Sequence, residues 1–204
     1  MNYLAFDTSG NYLTVVAKGK KKAVCEMKEC LHSHSVILMK EIENRLFEAS
    51  LELSNVDVFA CCIGPGSFTG IRIGVATAKA FAYACDKKVL GVTSFESLAY
   101  NIVEKTKKLT LIDARHDNFY ACAFDEENKV ILPPCFLSKN EIIDLYSDYL
   151  IVADVEIEGI NCQKGDMAKG FATAVESKLS LASKDRESLV PLYVKKSQAE
   201  EESC

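Results

Sequence analysis

The first hundred residues alternate between short apolar runs, which are typical of strands, and longer amphipathic stretches, which are typical of helices. Polar, turn-favouring residues such as Ser9-Gly10-Asn11 separate the earliest runs. The predicted strands are 3–6, 12–17, 23–28, 56–63 and one at Val89, and the predicted helices are 35–50, 69–85 and one beginning at Ser94. A three-stranded meander followed by alternating strands and helices indicates an α/β layer.

The second hundred residues repeat this order more loosely. The predicted strands are 109–113, 119–124, 130–136 and 150–153, and the predicted helices follow Ser138 and span 166–179. Asp7 and Asp113 each end the first strand of a half, and they lie 106 positions apart (113 minus 7). We therefore expect two duplicated lobes that face a cleft, 1–106 and 107–204, with the polar, acidic tail from Lys195 fraying.

The glycine-rich segment 64–74, Gly-Pro-Gly-Ser-Phe-Thr-Gly-Ile-Arg-Ile-Gly, leaves a predicted strand and enters a predicted helix. Free amides at a helix N-terminus can hold a phosphate group. The spacing matches neither the dinucleotide fingerprint nor a Walker loop, because no lysine follows, and Pro65 removes one amide. Phosphate binding and a purely structural strand-to-helix turn both remain open.

Composition limits the function. The chain is 49% hydrophobic and 26% charged, with a formal net charge of −5, so one or two globular domains are expected and autonomous RNA binding is disfavoured. No apolar run reaches the roughly 18 residues of a membrane span, and we expect no signal peptide because residues 1–7 lack a basic stretch and meet a carboxylate early. The nine cysteines include no Cys-x-x-Cys pair. We expect reduced, mostly buried thiols in a cytoplasmic protein.

Several polar residues are candidates for chemistry, each with a plainer interpretation. Asp7 can hold hydrated magnesium beside a nucleotide, or can simply cap its own turn. His32 and His34 are only two apart and do not share a helix face, so together with His116 they predict no metal site. Lys18 and Lys20–Lys22 form a basic turn that can be solvated or can touch a nucleic acid within an assembly.

Small residues recur every fourth position of the helix that follows the glycine segment. Gly70, Gly74, Ala78 and Ala82 therefore lie along one stripe, where another backbone can approach closely. The stripe either packs on the chain's own sheet or meets a partner helix. Apolar positions on the preceding helix exceed what one buried face requires, which favours a partner; they are Val36, Ile37, Met39, Ile42, Leu46, Phe47 and Ala49.

Segment 64–74 closely resembles the signature of the TsaB (YeaZ) family. Four further segments are similar to the family's opening strand, first helix, mid-chain motif and closing strand. They are Ala5-Phe6-Asp7-Thr8-Ser9, His34-Ser35, Asp113-Ala114-Arg115 with Tyr120, and Pro191-Leu192-Tyr193. The resemblance implies an actin-like ATPase (RNase H-like) fold with two lobes. It also implies a non-catalytic subunit of the machinery that makes threonylcarbamoyladenosine on tRNA.

The resemblance further implies partners and sites. The partners are the catalytic paralogue TsaD and the ATPase TsaE, with homodimers when the chain is alone and tRNA contact only through the complex. ATP and magnesium are used by the assembled complex, and no cofactor is tightly bound here. The implied partner interface comprises Ser35, Ile37, Ile42, Leu46, Gly70, Ile71, Gly74, Ala78 and Ala82. The implied cleft or vestigial nucleotide site comprises Asp7, Thr8, Ser9, Gly64, Gly66 and Ser67. An ATP-dependent kinase and a metallopeptidase are the alternatives.

Overall fold

The computed structural model describes residues 1–19, 23–29 and 34–194. Its first sheet has the strand order β3-β2-β1-β4-β5, and its strands are β1 (Tyr3–Asp7), β2 (Tyr12–Lys18), β3 (Ala23–Glu29), β4 (Val58–Gly64) and β5 (Lys88–Thr93). The meander β1-β2-β3 is antiparallel, whereas β4 and β5 add parallel to β1. The predicted meander and the α/β layer after it are confirmed.

The second sheet repeats the first. Its order is β10-β9-β6-β7-β8, and its strands are β6 (Lys108–Asp113), β7 (Asn118–Phe124), β8 (Val130–Ser138), β9 (Leu150–Ala153) and β10 (Gln163–Lys164). When β6 is placed on β1, every strand has a counterpart with the same neighbour and the same direction. The duplicated actin-like (RNase H-like) α/β fold is therefore confirmed.

Among the described residues, five α-helices cover the two sheets: α1 (His34–Glu48), α2 (Phe68–Ala84), α3 (Ser94–Ala99), α4 (Lys139–Leu145) and α5 (Met167–Lys178). Helices α1 and α2 pack on one face of the first sheet and α5 on the other. Helix α3 packs on the inner face of the second sheet and α4 on its outer face. The central strand β1 is consequently buried on both sides, with Leu4 and Phe6 against α1 and α2, and Tyr3 and Ala5 against α5. The edge strand β3 is mostly exposed.

Local sequence signals fix where these helices begin. Thr93 and Ser138 form capping boxes with Glu96 and Glu141, and Ser67 accepts a hydrogen bond from the amide of Gly70. Each cap satisfies amides that the first helical turn leaves without a partner. In α2 the cap also fixes the point at which the glycine segment becomes helical.

The chain crosses back to the first lobe after the second sheet is complete. Helix α5 packs on the first sheet, where Glu176 accepts hydrogen bonds from Tyr3 at 3.0 Å and from Lys18 at 2.6 Å. Residues 182–194 then follow the edge of that lobe, with Ser183 bridged to Val89 in β5. The predicted boundary at residue 106 therefore separates the two sheets. It does not separate the helices in the same way, because α5 follows the boundary but packs on the first sheet.

The last described residues of the chain do not form the strand predicted for them. The closing strand expected at Pro191-Leu192-Tyr193 is wrong, because these residues form no strand and make one ladder-like bond, from the amide of Leu192 to the carbonyl of Ile63 at 2.7 Å. The tail from Lys195, and the basic residues Lys20–Lys22, lie outside the described residues.

Helices α3 and α5 cross at Gly170, and this contact provides a stability test. A Cβ atom at Gly170 would lie 1.7 Å from the carbonyl oxygen of Ser97. We expect Gly170→Ala to lower the free energy of unfolding by about 1–3 kcal/mol through overpacking, despite the better helix propensity of alanine. Gly10→Ala is the matched control, because no atom lies within 4 Å of its added Cβ. Denaturant titration measures both, and equal stabilities would contradict the tight crossing.

Candidate functional site

A cavity of about 850 Å³ opens between the two sheets. It lies at the carboxyl ends of β1, β4, β6 and β9, where parallel strands of α/β sheets commonly place ligand-binding groups. Its polar wall includes Asp7, Ser9, Gly66, Ser67, Ser94, Asp113, Arg115 and Asp154. Of the six residues predicted for the cleft, Asp7, Ser9, Gly66 and Ser67 line it, whereas Thr8 and Gly64 do not. Thr8 contacts Gly70, and Gly64 lies against Ile71 and the carbonyl of Leu192.

The turn after β1 is built around the carboxylate of Asp7. Its Oδ1 atom accepts a hydrogen bond from the amide of Ser9 at 2.7 Å and another from the Ser9 hydroxyl at 2.6 Å. Asp7 and Ser9 are both buried. This is the self-capping turn anticipated as the plainer role of Asp7. A magnesium role for Asp7 remains a prediction.

The glycine segment is clamped against that same turn. The amide of Ser67 donates a hydrogen bond to the carbonyl of Ser9 at 2.6 Å, and the hydroxyl of Ser94 donates one to the carbonyl of Pro65 at 2.7 Å. A Cβ atom at Gly66 would lie 2.4 Å from the Ser9 carbonyl oxygen. Glycine is required there because the two loops touch through their backbones, which favours the structural interpretation of the segment.

The opposite wall of the cleft carries two aspartates at the carboxyl ends of two neighbouring parallel strands. The amide of Asp113, at the end of β6, donates to Oδ1 of Asp154, which follows β9, at 3.1 Å. Burial raises the pKa of the Asp154 carboxyl to about 6, and the nearby charge of Asp113 adds to the increase. Its carboxyl therefore changes charge near neutral pH.

The turn after Asp113 is conformationally unusual. Arg115, His116 and Asp117 have φ angles of 69°, 54° and 55°, a left-handed region that non-glycine residues seldom occupy. The carboxylate of Asp113 accepts from the amide of Arg115 at 2.8 Å and holds the start of this turn. The mid-chain motif thus brings Arg115 and Tyr120 to the cleft wall.

Sequence reasoning missed Asp154 and Ser94 as cleft residues. The duplication offered a signal for Asp154, since β9 is the counterpart of β4 and its carboxyl end must face the same cleft. Of the histidines, His116 is exposed in the left-handed turn, His34 begins α1, and His32 lies outside the described residues. Within the described ranges, no group of three or more His, Cys, Asp or Glu side chains could hold a metal ion.

The small-residue stripe on α2 packs inside this chain, so its assignment as a partner surface is wrong. Gly70, Ile71, Gly74, Ala78 and Ala82 are all buried. A Cβ atom at Gly70 would lie 1.9 Å from the Thr8 carbonyl oxygen, and one at Gly74 would lie 2.6 Å from Thr8 Oγ1. The glycines allow α2 to approach the turn after β1, and they leave no room for a second helix.

The predicted interface on α1 is also mostly internal. Ile42 is 3% exposed, and Ile37 and Leu46 are half-buried against the same core. Ser35 is exposed and lines the mouth of the cleft. Of the seven apolar positions named for this helix, Val36, Met39 and Phe47 are the exposed ones, at 78%, 53% and 85%. None of these three belongs to the predicted interface set.

A second stripe of α2 faces solvent. Arg72, Ala76, Ala80 and Ala84 are exposed, and they are offset by two positions, about 200°, from the buried stripe. We call these four residues the outer stripe. Helices α1 and α2 share one face of the sheet and touch each other, so their exposed sides lie on the same side of the first lobe. On α1 the exposed ion pair Lys40–Glu43 lies between Val36 and Phe47.

Other sequence expectations have simple outcomes. The seven cysteines in the described ranges are free thiols, but only Cys61, Cys62 and Cys122 are buried, so the expectation of mostly buried thiols is wrong for these seven. Burial raises the pKa values of Cys61 and Cys62. Lys18 forms an ion pair with Glu176 at 2.6 Å. No helix of the described residues is long and apolar enough to cross a membrane.

Comparison with known proteins gives a consistent set of relatives. The family model described as TsaD, tRNA N6-adenosine threonylcarbamoyltransferase, matches residues 28–202. Over 125 residues the chain is 30% identical to the tRNA threonylcarbamoyladenosine biosynthesis protein TsaB of Haemophilus influenzae, covering 59% of this chain and 52% of that protein. Over 146 residues it is 26% identical to TsaB of Escherichia coli, covering 66% and 63%. The chain spans about half to three fifths of the length of these curated relatives.

Solved structures agree on the fold. YeaZ from Pseudomonas aeruginosa superposes with a TM-score of 0.78 at 21% identity, covering 94% of this chain and 99% of that one. A Pseudomonas aeruginosa protein described as similar to the peptidase YEAZ gives a TM-score of 0.79 at 21% identity, covering 95% and 99%.

The carboxyl pair in the cleft provides a test by titration. A folded pKa near 6 exceeds the ordinary value of 3.8, so the folded state holds a proton that the unfolded chain releases. Stability should therefore fall as pH rises from about 4 to about 6, by at most about 3 kcal/mol from this group. Asp154→Asn should remove this part of the slope.

Asp113→Asn is the matched variant for the same titration. It removes the repulsive charge but keeps the backbone amide that donates to Asp154, so the pKa of Asp154 should fall while staying raised by burial. Carboxyl chemical shifts followed by NMR measure this directly. An Asp154 pKa near 4 in the unmodified protein would contradict the described burial.

Proposed function

We propose that this chain acts in making threonylcarbamoyladenosine on tRNA, because it belongs to the TsaD family and, within it, to the TsaB (YeaZ) members. The family match over residues 28–202 carries this proposal. In it, the chain is the non-catalytic subunit that binds and activates the catalytic paralogue TsaD, together with TsaE. Because the relatives are matched over only part of their length, their activity and partners come to this chain as proposals.

The chemistry of the cleft supports a non-catalytic role. The lining residues contribute carboxylates, hydroxyls, Arg115 and tyrosines, but no histidine, lysine or cysteine among the described residues. The hydroxyl of Ser9 is committed to Asp7 and that of Ser94 to the Pro65 carbonyl. Ser9 and Ser94 are only 4% and 1% exposed, so their hydroxyls serve the turn after β1 and the glycine segment, and the bond between Ser9 and Asp7 is a turn contact.

The paired helices α1 and α2 support the partner-binding part of the proposal. Soluble proteins seldom leave several large apolar side chains exposed together, yet Val36, Met39 and Phe47 project from α1 beside the outer stripe of α2. The alanines of that stripe, Ala76, Ala80 and Ala84, leave the α2 backbone approachable by another helix. We assign the TsaD-type paralogue to this surface. A second copy of this chain competes for it when the paralogue is absent.

The remaining expectations follow from that assembly. ATP and magnesium serve the complex and not this chain alone. Transfer RNA meets the chain only within the complex, in keeping with the net charge of −5. The proposed place of work is the cytoplasm.

A pair of leucine substitutions on opposite faces of α2 tests the assignment. Ala76→Leu adds bulk on the exposed face, so it should leave the melting temperature nearly unchanged while weakening the pair with the TsaD-type paralogue at least tenfold. Gly74→Leu forces bulk against Thr8 Oγ1, so it should destabilise the monomer by about 1–3 kcal/mol or more. Calorimetric titration and thermal melts of both variants are the measurements.

Modified nucleoside in cellular tRNA is the functional readout for the same variants. Cells that depend on Ala76→Leu should lose threonylcarbamoyladenosine although the variant accumulates in folded form. If Ala76→Leu binds the paralogue as tightly as the unmodified chain, the partner does not use the outer stripe. If the unmodified chain neither binds the paralogue nor supports the modification, the proposed function is wrong.

A further inference from the structure

Arg72 is held in place by its neighbours although it lies on the exposed face of α2. Its Cζ atom lies 3.8 Å from the ring centroid of Phe68, one helical turn earlier. Its Nε atom donates to the hydroxyl of Tyr193 at 2.9 Å. The rings of Phe68 and Tyr193 stack on each other with centroids 4.6 Å apart. The guanidinium plane is therefore fixed by a stacked ring and a hydrogen bond.

No residue that the structure describes binds the outward edge of this guanidinium. Within the described residues, the terminal nitrogens of Arg72 make no hydrogen bond or ion pair, whereas Lys79, the other cation of α2, pairs with Glu187 at 3.2 Å. A planar guanidinium with free terminal donors is suited to a carboxylate or a phosphate, which it can bind through two parallel hydrogen bonds. Fixing the plane in advance lowers the entropy lost when such a ligand binds.

We propose that Arg72 is the anchor of the partner interface and receives a carboxylate side chain of the TsaD-type paralogue. This inference rests on the proposed function, since it names the chemistry of the partner at the outer stripe. The segment 182–194 helps to position Arg72. Tyr193 orients the guanidinium, and the hydrogen bond from the amide of Leu192 to the carbonyl of Ile63 fixes the backbone beside Tyr193.

A protein carboxylate fits this surface better than an RNA phosphate. Arg72 continues in line with Ala76 and Ala80, and the adjoining helix presents Val36, Met39 and Phe47. Arginine is one of the residue types enriched among the energetic hot spots of protein interfaces. RNA backbones are instead bound by several cations acting together, and on α2 the other cation is already paired.

The test compares variants of the whole chain for binding to the purified paralogue. Arg72→Lys keeps the charge but loses the planar fork, and Arg72→Met keeps most of the stem but loses the charge. We expect at least a tenfold weaker pair for both, with dissociation faster and melting temperatures unchanged. Tyr193→Phe keeps the stacked ring and loses the acceptor for Nε, so a smaller loss of about threefold is expected.

Lys79→Met is the matched control, since it removes one positive charge from the same helix two turns away. It should change the affinity by less than about threefold. A charge exchange completes the design: Arg72→Glu should abolish pairing, and replacing one acidic residue of the paralogue with arginine should restore it. Each acidic residue on the paralogue's contacting helices is replaced in turn.

Each outcome decides between alternatives. Equal losses for Arg72→Met and Lys79→Met would show general electrostatics and overturn the anchor. Intact pairing with weaker binding of the assembled complex to tRNA would assign Arg72 to a phosphate and overturn it as well. If pairing is strong but insensitive to Arg72, only this inference fails. If the unmodified chains do not pair, the proposed function itself has failed.

Discussion

The contact between Gly70 and the turn after β1 determines how the surface of this protein is arranged. The hydroxyl of Thr8 donates to the carbonyl of Gly70 at 2.7 Å, and the helix backbone comes so close that a Cβ atom at Gly70 could not be accommodated. Gly74 repeats the close approach one turn later. Helix α2 cannot rotate about its axis without breaking this contact, so the opposite side of the helix is committed to solvent or to a partner.

The same turn also shapes the cleft. Asp7 and Ser9 flank Thr8 and line the cavity, while Thr8 itself points beneath it to α2. The amide of Ser67 binds the carbonyl of Ser9 immediately before α2 begins. One turn therefore joins the cleft wall, the start of α2 and, through the orientation of that helix, the outer stripe. A substitution in the turn should be felt at both surfaces.

Much of this architecture could be predicted because hydrophobic patterns record burial directly. The strands of the first lobe and four of the five strands of the second are visible as runs and turns, and Asp7 and Asp113 mark the repeat at the ends of β1 and β6. The two-residue β10 was not predicted because it is too short to leave a pattern. The buried face of α2 was harder to predict, because both sides of the helix carry small residues at every fourth position. The buried face is the one beside Ile71 and Val75, because Arg72 lies on the other stripe. This can be seen only when the residue types on all sides of the helix are compared. Asp154 was missed because its neighbour Asp113 is close only in three dimensions.

The central claim is that the protein meets its partner through the outer face of α2. Site-resolved thiol labelling tests it most directly. It uses two single substitutions, Ala76→Cys on the outer stripe and Ala78→Cys on the buried one. Mass spectrometry separates each new thiol from the native cysteines. We expect the thiol at position 76 to label rapidly in the free chain and at least tenfold more slowly in the complex with the TsaD-type paralogue, and the thiol at position 78 to stay unreactive in both. Unchanged labelling at position 76 in a fully formed complex would contradict the account.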